Sequence, residues 1–212
     1  MVAHGDVLPS DRAVIGAKDY VVAADGGAFA LERWKLLPHL VVGDMDSLGD
    51  AGVERMARQG IPVAKFSAAK DESDLELAVA QAIAAGATEI VLLGALGGDR
   101  LDHETANLLL LADPAYDGVR IEARRGTLRI RAVRGGSSLS LAGAAGAVVT
   151  LLPVNGDAGG VTTEGLRYPL RDETLRFGRA RGLSNEVVSL PASVSLDTGT
   201  LLVFETPQGG PT

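Results

Sequence analysis

Cysteine is absent from this 212-residue chain, which excludes disulfides and thiolate metal sites. Aromatics make up only 4% of residues, with a single tryptophan, so alanine, valine, leucine and glycine must carry the core. Positive charge is in deficit: 20 Lys and Arg stand against 27 Asp and Glu, for a net charge of −7. That balance excludes a nonspecific binder of nucleic acid or of an anionic membrane. No apolar stretch reaches the ~18 residues of a membrane-crossing helix, and no charged leader precedes an apolar segment at the start. The expectation is a soluble, cytoplasmic protein. The three histidines, His4, His39 and His103, are too scattered for a histidine metal site. No serine nucleophile has an evident base partner.

What is present is a globular composition, 46% hydrophobic, with length for one large domain or two small ones. Six aspartates of the first half stand out at four places: Asp25 in ADGGA, Asp44 and Asp46 in VVGDMDSL, Asp71 and Asp74 in KDESDLELAV, and Asp102 in GGDRLDH. Each lies at the expected end of a strand or start of a helix. Carboxylates that converge repel one another unless a cation holds them, and Mg²⁺ takes hard oxygen ligands while keeping positions open for phosphate oxygens.

The first half alternates strand and helix. Short apolar runs at Tyr20 to Ala24, Leu40 to Val42, Ile61 to Phe66 and Glu89 to Leu93 read as strands, and Met1 to Ala3 is the candidate for a first one. Helical patterns fall at Ala28 to Leu37, at Ala51 to Gln59 and from Asp102 onward. The clearest begins at Ser73, which with Glu76 forms a capping box. Leu75, Ala78, Val79, Ala82 and Ile83 then line one face. Such alternation implies an α/β domain with a mostly parallel sheet, in which ligands bind beyond the carboxyl ends of the strands. From about Arg120 the chain shows short strands broken by Gly-rich turns. They run over Leu128 to Val133, Val148 to Pro153, Glu186 to Leu190, Ser193 to Leu196 and Leu201 to Glu205, with a hairpin turn at Asp197-Thr198-Gly199. An all-β, sandwich-like domain is expected over 118–206, after an α/β domain over 1–117 and before a flexible tail at 207–212.

The motifs differ in specificity. Gly26 and Gly27 after Asp25 let backbone approach a phosphate or nucleoside, though a strand-to-helix turn needs no more than this. Asp44 and Asp46, at i and i+2 in a loop, can reach one cation, and a plain polar turn does not require that spacing. Lys70, Asp71, Ser73 and Asp74 stand at a helix N-terminus, where the helix dipole favours an anion. First-turn acids are common there, but a lysine is not. Gly97, Gly98, Arg100 and Asp102 combine a Gly-rich loop with a guanidinium suited to phosphate and a carboxylate that can ligate metal or take a proton. The loop is neither a Walker A sequence nor a GxGxxG fingerprint. Magnesium-dependent phosphoryl or diphosphoryl transfer is the chemistry that remains.

In this order, these motifs resemble the thiamine pyrophosphokinase family. The match rests on Asp25-Gly26-Gly27-Ala28, Gly43-Asp44-Met45-Asp46-Ser47-Leu48, Lys70-Asp71-Glu72-Ser73-Asp74-Leu75-Glu76 and Gly97-Gly98-Asp99-Arg100-Leu101-Asp102-His103, with Asn107 a turn later. In the second half, Thr163 to Leu170 and Gly182 to Glu186 look like that family's thiamine-side motifs. Ser73 stands where many members have Thr, and Tyr168 where some have Trp.

The resemblance implies an α/β domain that binds ATP and Mg²⁺, a β-sandwich, and a homodimer with thiamine between the α/β domain of one subunit and the sandwich of the other. It implies transfer of diphosphate from ATP to the thiamine hydroxyl, leaving AMP. By resemblance Asp44, Asp46 and Asp74 bind metal and phosphate, with Asp25, Asp46, Arg100 and Asp102 at the reacting groups. Gly26, Gly27, Lys70, Asp71, Ser73, Gly97 and Gly98 fall on the nucleotide side, and Tyr168, Ser184 and Asn185 at the thiamine. Two alternatives stand beside it: a pyrophosphokinase for another ring alcohol such as a hydroxymethylpterin, and a silent thiamine- or nucleotide-binding sensor.

Overall fold

Short runs of small and β-branched residues form the strands of the first half, and the capped or glycine-flanked segments between them form its helices. The structure is a computed structural model that describes residues 1–207; from Gln208 on, the expected tail lies outside the described residues. The elements of the first half are β1 (Val22–Ala24), α1 (Gly27–Arg33), β2 (Leu40–Gly43), α2 (Gly49–Arg58), β3 (Val63–Lys65), α3 (Asp74–Ala84), β4 (Glu89–Leu93), α4 (Leu101–Leu110) and β5 (Arg120–Arg125).

Those strands pair in parallel, β1 with β2, β2 with β3, and β4 with β5. Met1–Ala3 fills the gap between β1 and β4. Val2 N donates to Val22 O at 2.9 Å, Ala3 N to Leu93 O at 2.8 Å, and Leu93 N to Met1 O at 2.9 Å. The candidate first strand is therefore present as a two-sided bridge. Val2, Ala23, Val41 and Leu93 are buried in the core of this unit together with Ala28, Leu31 and Met56. A small parallel sheet with helices results, as alternation required.

The chain divides into two compact units, Met1–Leu110 with Gly118–Gly126, and Leu111–Asp117 with the chain from Thr127 on. β5 belongs to the first unit, because it pairs with β4. The second unit holds β6 (Leu128–Arg134), β7 (Ser137–Ser140), β8 (Val148–Glu164), β9 (Glu173–Leu175), β10 (Asn185–Glu186), β11 (Ser193–Leu196) and β12 (Thr198–Thr206). Every pairing within it is antiparallel. The run expected to stop at Pro153 continues to Glu164. Its first half pairs with β12 and its last residues with β11. Between them Asn155 (φ 63°) and Gly156 (φ 126°) turn the strand, so one sheet curls until both halves face a shared core of Val133, Leu151, Val203, Val161, Val194 and Leu196. Glu205, buried at 3% exposure, is satisfied by Ala142 N at 2.6 Å, Gly143 N at 3.0 Å and the Arg131 guanidinium.

Candidate active site

Parallel register sets the site. Ala24 lies beside Val42, so the next residues, Asp25 and Asp44 beyond Gly43, leave neighbouring strands at their carboxyl ends. Asp25 N donates to Val42 O at 2.8 Å. Asp74 arrives from the other direction as the first residue of α3. Its cap is complete: Ser73 Oγ accepts from Glu76 N at 3.2 Å, and Ser73 N donates to Glu76 Oε2 at 2.8 Å.

Asp25, Asp44 and Asp74 each present a carboxylate oxygen to a common point, with those atoms within 4.8 Å of one another. Gly43 makes this possible. A Cβ there would stand 2.9 Å from Asp25 Cβ and 3.0 Å from Asp74 Cγ, at a φ of 150°, so any side chain would push the carboxylates apart. Asp25 and Met45 also hold positive φ, 37° and 69°, and such backbone tends to persist where the surroundings impose it at a functional site. The donor set is oxygen only, which fits a hard divalent cation such as Mg²⁺.

Asp25 is 4% exposed and accepts from Ser47 N at 3.1 Å and Leu48 N at 3.4 Å. Burial pushes its carboxyl above the ordinary carboxylate value, against the pull of Ser47 and Leu48. Asp46 is exposed and held below that value, first by its hydrogen bond to Asp25 and then by Ser47. Asp46 itself bonds Ser47 Oγ at 3.1 Å and stands outside the convergent trio. The expected trio was Asp44, Asp46 and Asp74. The structure brings Asp25 in its place, since β1 and β2 are adjacent while Asp46 has already turned outward.

Lys70 Nζ lies 2.6 Å from Asp74 Oδ1 and 3.9 Å from Asp44 Oδ2. Asp71 is exposed in the turn before α3. Gly26 and Gly27 start α1, and a Cβ on Gly26 would fall 2.5 Å from His4 Nδ1. His4 is a neighbour that spacing could not reveal: its Nδ1 is 3.5 Å from Ser47 Oγ, and its ring meets Phe29. The usable signal was its place right after a strand, the same signal that marks Asp25.

Gly97 and Gly98 lie in the loop after β4, which Asn107 Nδ2 pins through Ala95 O at 2.8 Å. Arg100 and Asp102 do not join the trio. Arg100 grips Asp102 through Nε at 2.9 Å and Nη2 at 2.7 Å, and both side chains are exposed. That fork holds the Asp102 carboxyl well below its usual range.

In the second unit, Tyr168 and Asn185 come together. Tyr168 is 59% exposed. Asn185 is buried, and its Oδ1 accepts from Tyr168 N at 3.0 Å and Glu186 N at 2.9 Å. Ser184 is exposed at a φ of 55°, with its N donating to Thr150 Oγ1 at 3.1 Å. Arg167 and Glu186 form a bidentate pair beside them.

Comparison with known proteins identifies the family. Residues 12–123 match the model for "Thiamin pyrophosphokinase, catalytic domain", and residues 138–201 match that for "Thiamin pyrophosphokinase, vitamin B1 binding domain". Thiamine pyrophosphokinase of Bacillus subtilis is 24% identical over 183 residues, 86% of this chain and 85% of that protein. Thiamine pyrophosphokinase 2 of Oryza sativa subsp. japonica is 26% identical over 204 residues, covering 85% and 75%. The crystal structure of the Bacillus subtilis enzyme superposes with a TM-score of 0.85 over 97% of both chains at 22% identity. That of Geobacillus thermodenitrificans thiamin pyrophosphokinase gives 0.82 over 98% and 96% at 27% identity. With both family domains matched in order, the chain belongs to the thiamin pyrophosphokinase family.

Proposed function

We propose that this chain is a thiamine diphosphokinase, which transfers the terminal diphosphate of ATP to the hydroxyl of thiamine. The hydroxyl oxygen bonds to the β-phosphorus and gives up its proton to solvent, the bond from that phosphorus to the α-phosphate oxygen breaks, and AMP leaves. The observation that carries the reading is the meeting of Asp25, Asp44 and Asp74 at the carboxyl ends of adjacent parallel strands, where ligands bind in such sheets.

Those three carboxylates would hold Mg²⁺, with Asp46 and Ser47 alongside. When bound, the cation supplies charge neutralisation for the triphosphate. The residues do the rest. Gly26 and Gly27 let His4 and the Val2 main chain pack closely against the start of α1 on the nucleotide side, with Asp71 and Ser73 at the start of α3. Gly97 and Gly98 shape the loop after β4, and Arg100 offers a guanidinium to phosphate oxygens. Asp102 is exposed beside Arg100 and keeps carboxylate oxygens that can accept a hydrogen bond. It serves as an acceptor that orients the hydroxyl.

On the acceptor side, the second unit is read as the thiamine-binding sandwich. Exposed Tyr168 offers an aromatic face to a cationic ring, Ser184 a hydroxyl, and Asn185 fixes the Tyr168 main chain. The active unit is read as a cytoplasmic homodimer with the acceptor pocket shared between subunits. The exposure of Leu101 and Leu109 on α4, and of Phe177, Leu183 and Leu190 in the second unit, supports apolar contact with a second copy. Among the described residues no helix is long and apolar enough to cross a membrane.

Incubation with ATP, Mg²⁺ and thiamine tests the reading. AMP and thiamine diphosphate are expected. ADP with thiamine monophosphate, or no turnover by folded protein, overturns it.

A further inference from the structure

We propose that Lys70 is a tethered counter-cation, which occupies the carboxylate site in the metal-free protein and competes with the divalent ion for it. The inference rests on the reading of Asp25, Asp44 and Asp74 as the metal site.

Lys70 stands just before the N-terminus of α3, the positive end of the helix dipole, where a cation is disfavoured. Helix chemistry gives no reason for an ammonium there; the carboxylates do. Its Nζ donates to Asp74 Oδ1 at 2.6 Å and lies 3.9 Å from Asp44 Oδ2, with the side chain only 13% exposed. It is thus a partly dehydrated cation pressed on two of the three carboxylates that converge. Its ammonium offsets the repulsion among the carboxylates held together in the metal-free protein.

A divalent ion held by Asp25, Asp44 and Asp74 would draw on two of the carboxylates that Lys70 faces. The Asp74 carboxylate would then face two cations, and their repulsion in a half-buried pocket favours one occupant at a time. The lysine stem has four rotatable carbons, so the ammonium can withdraw while its backbone stays in the turn. A phosphate group arriving with the divalent ion gives the displaced ammonium a new partner. Free divalent ion is therefore resisted, and ion that arrives with polyphosphate is admitted.

Calorimetric titration with Mn²⁺ alone, in the absence of nucleotide, tests this on wild type, Lys70→Met, Asp74→Asn and the double variant. Lys70→Met is expected to bind Mn²⁺ on the order of tenfold tighter than wild type, and Asp74→Asn is expected to abolish binding in either background. Equal or weaker binding by Lys70→Met, with Asp74→Asn still abolishing it, overturns the counter-cation and leaves the carboxylate site standing. Absence of Mn²⁺ binding in both wild type and Lys70→Met overturns both. A second measurement needs no variant fold. In wild type the Lys70 ¹⁵Nζ resonance is expected to be exchange-protected without metal and to lose that protection on saturation with Mg²⁺. A Lys70 signal that stays protected when Mg²⁺ is bound overturns the proposal.

Discussion

Asn185 holds the main chain of Tyr168 from both sides: its Oδ1 accepts from Tyr168 N at 3.0 Å, and its Nδ2 donates to Tyr168 O at 2.7 Å. The same Oδ1 also accepts from Glu186 N. With most of its bonding capacity used internally, this amide would act on a ligand by placing Tyr168 rather than by direct contact.

Asn185→Ala should therefore cost stability as well as acceptor binding. Three hydrogen bonds are lost around a residue only 7% exposed, and about 2–4 kcal/mol is expected. Urea unfolding reads the stability, and steady-state kinetics should show a raised KM for thiamine with the Mg²⁺ dependence unchanged. A loss under roughly 0.5 kcal/mol, the range of ordinary surface changes, would mean that Tyr168 is held by something else.

Asp25 carries a pH dependence with a definite sign. Burial raises its carboxyl above the 3.8 of a free aspartate, so between that value and its own elevated one the folded state binds more protons than the unfolded chain. Stability from this group falls as pH rises through that window and stays lower above it. Asp25→Asn removes the buried charge, and asparagine tolerates the positive φ. In EDTA the variant should melt higher than wild type at pH 7 and lack the slope that wild type shows above pH 3.8, while diphosphate transfer is lost. A lower melting temperature at pH 7 would show that the bonds from Ser47 and Leu48 outweigh the burial penalty.

Much of this site was legible, for reasons that differ by residue. Ser73 and Glu76 announced α3 because a capping box is local chemistry, and the short runs before Asp25 and Asp44 announced strands whose ends meet in any parallel sheet. The exchange of Asp46 for Asp25 in the convergent trio was not legible, because it depends on β1 lying beside β2, a pairing no local pattern encodes. His4 was passed over since it stands alone in sequence; the Met1–Ala3 bridge carries it to Ser47. β8 was expected to end at Pro153, just before Asn155 and Gly156. They do bend the chain, but within a strand that goes on to pair with β11.

Gly43→Ala should separate fold from site. The added methyl meets Asp25 Cβ and Asp74 Cγ at 2.9 and 3.0 Å, at a backbone angle that L-residues rarely adopt. A destabilisation on the order of 1–3 kcal/mol is expected. The functional loss should be larger and should appear in metal dependence, with the Mg²⁺ concentration for half-maximal rate raised by about tenfold or more, as for displaced ligand geometry. Thermal melts and a Mg²⁺ titration of the rate check both. A variant with wild-type Mg²⁺ dependence would place the metal elsewhere.

The Arg100–Asp102 fork sets the last expectation. A folded-state value below that of a free carboxyl means that any stability from this charge is present above pH 3.8 and lost only as pH falls through the lowered value. Melts of Asp102→Asn between pH 5 and 9 should then track wild type, as exposed ion pairs contribute little. Activity should discriminate between roles. A general base is lost equally in Asp102→Asn and Asp102→Ala, with drops of ~10²–10⁴-fold in each. An orienting acceptor survives in part as the amide, because asparagine keeps one acceptor oxygen. The expected order is wild type, then Asp102→Asn, then Asp102→Ala, with Asn intermediate and with no inflection of the wild-type rate assignable to Asp102 across that pH range. Equal loss in the two variants, together with an acid-limb inflection that disappears in both, would return Asp102 to the role of proton acceptor and would require Arg100 to release it when substrate binds.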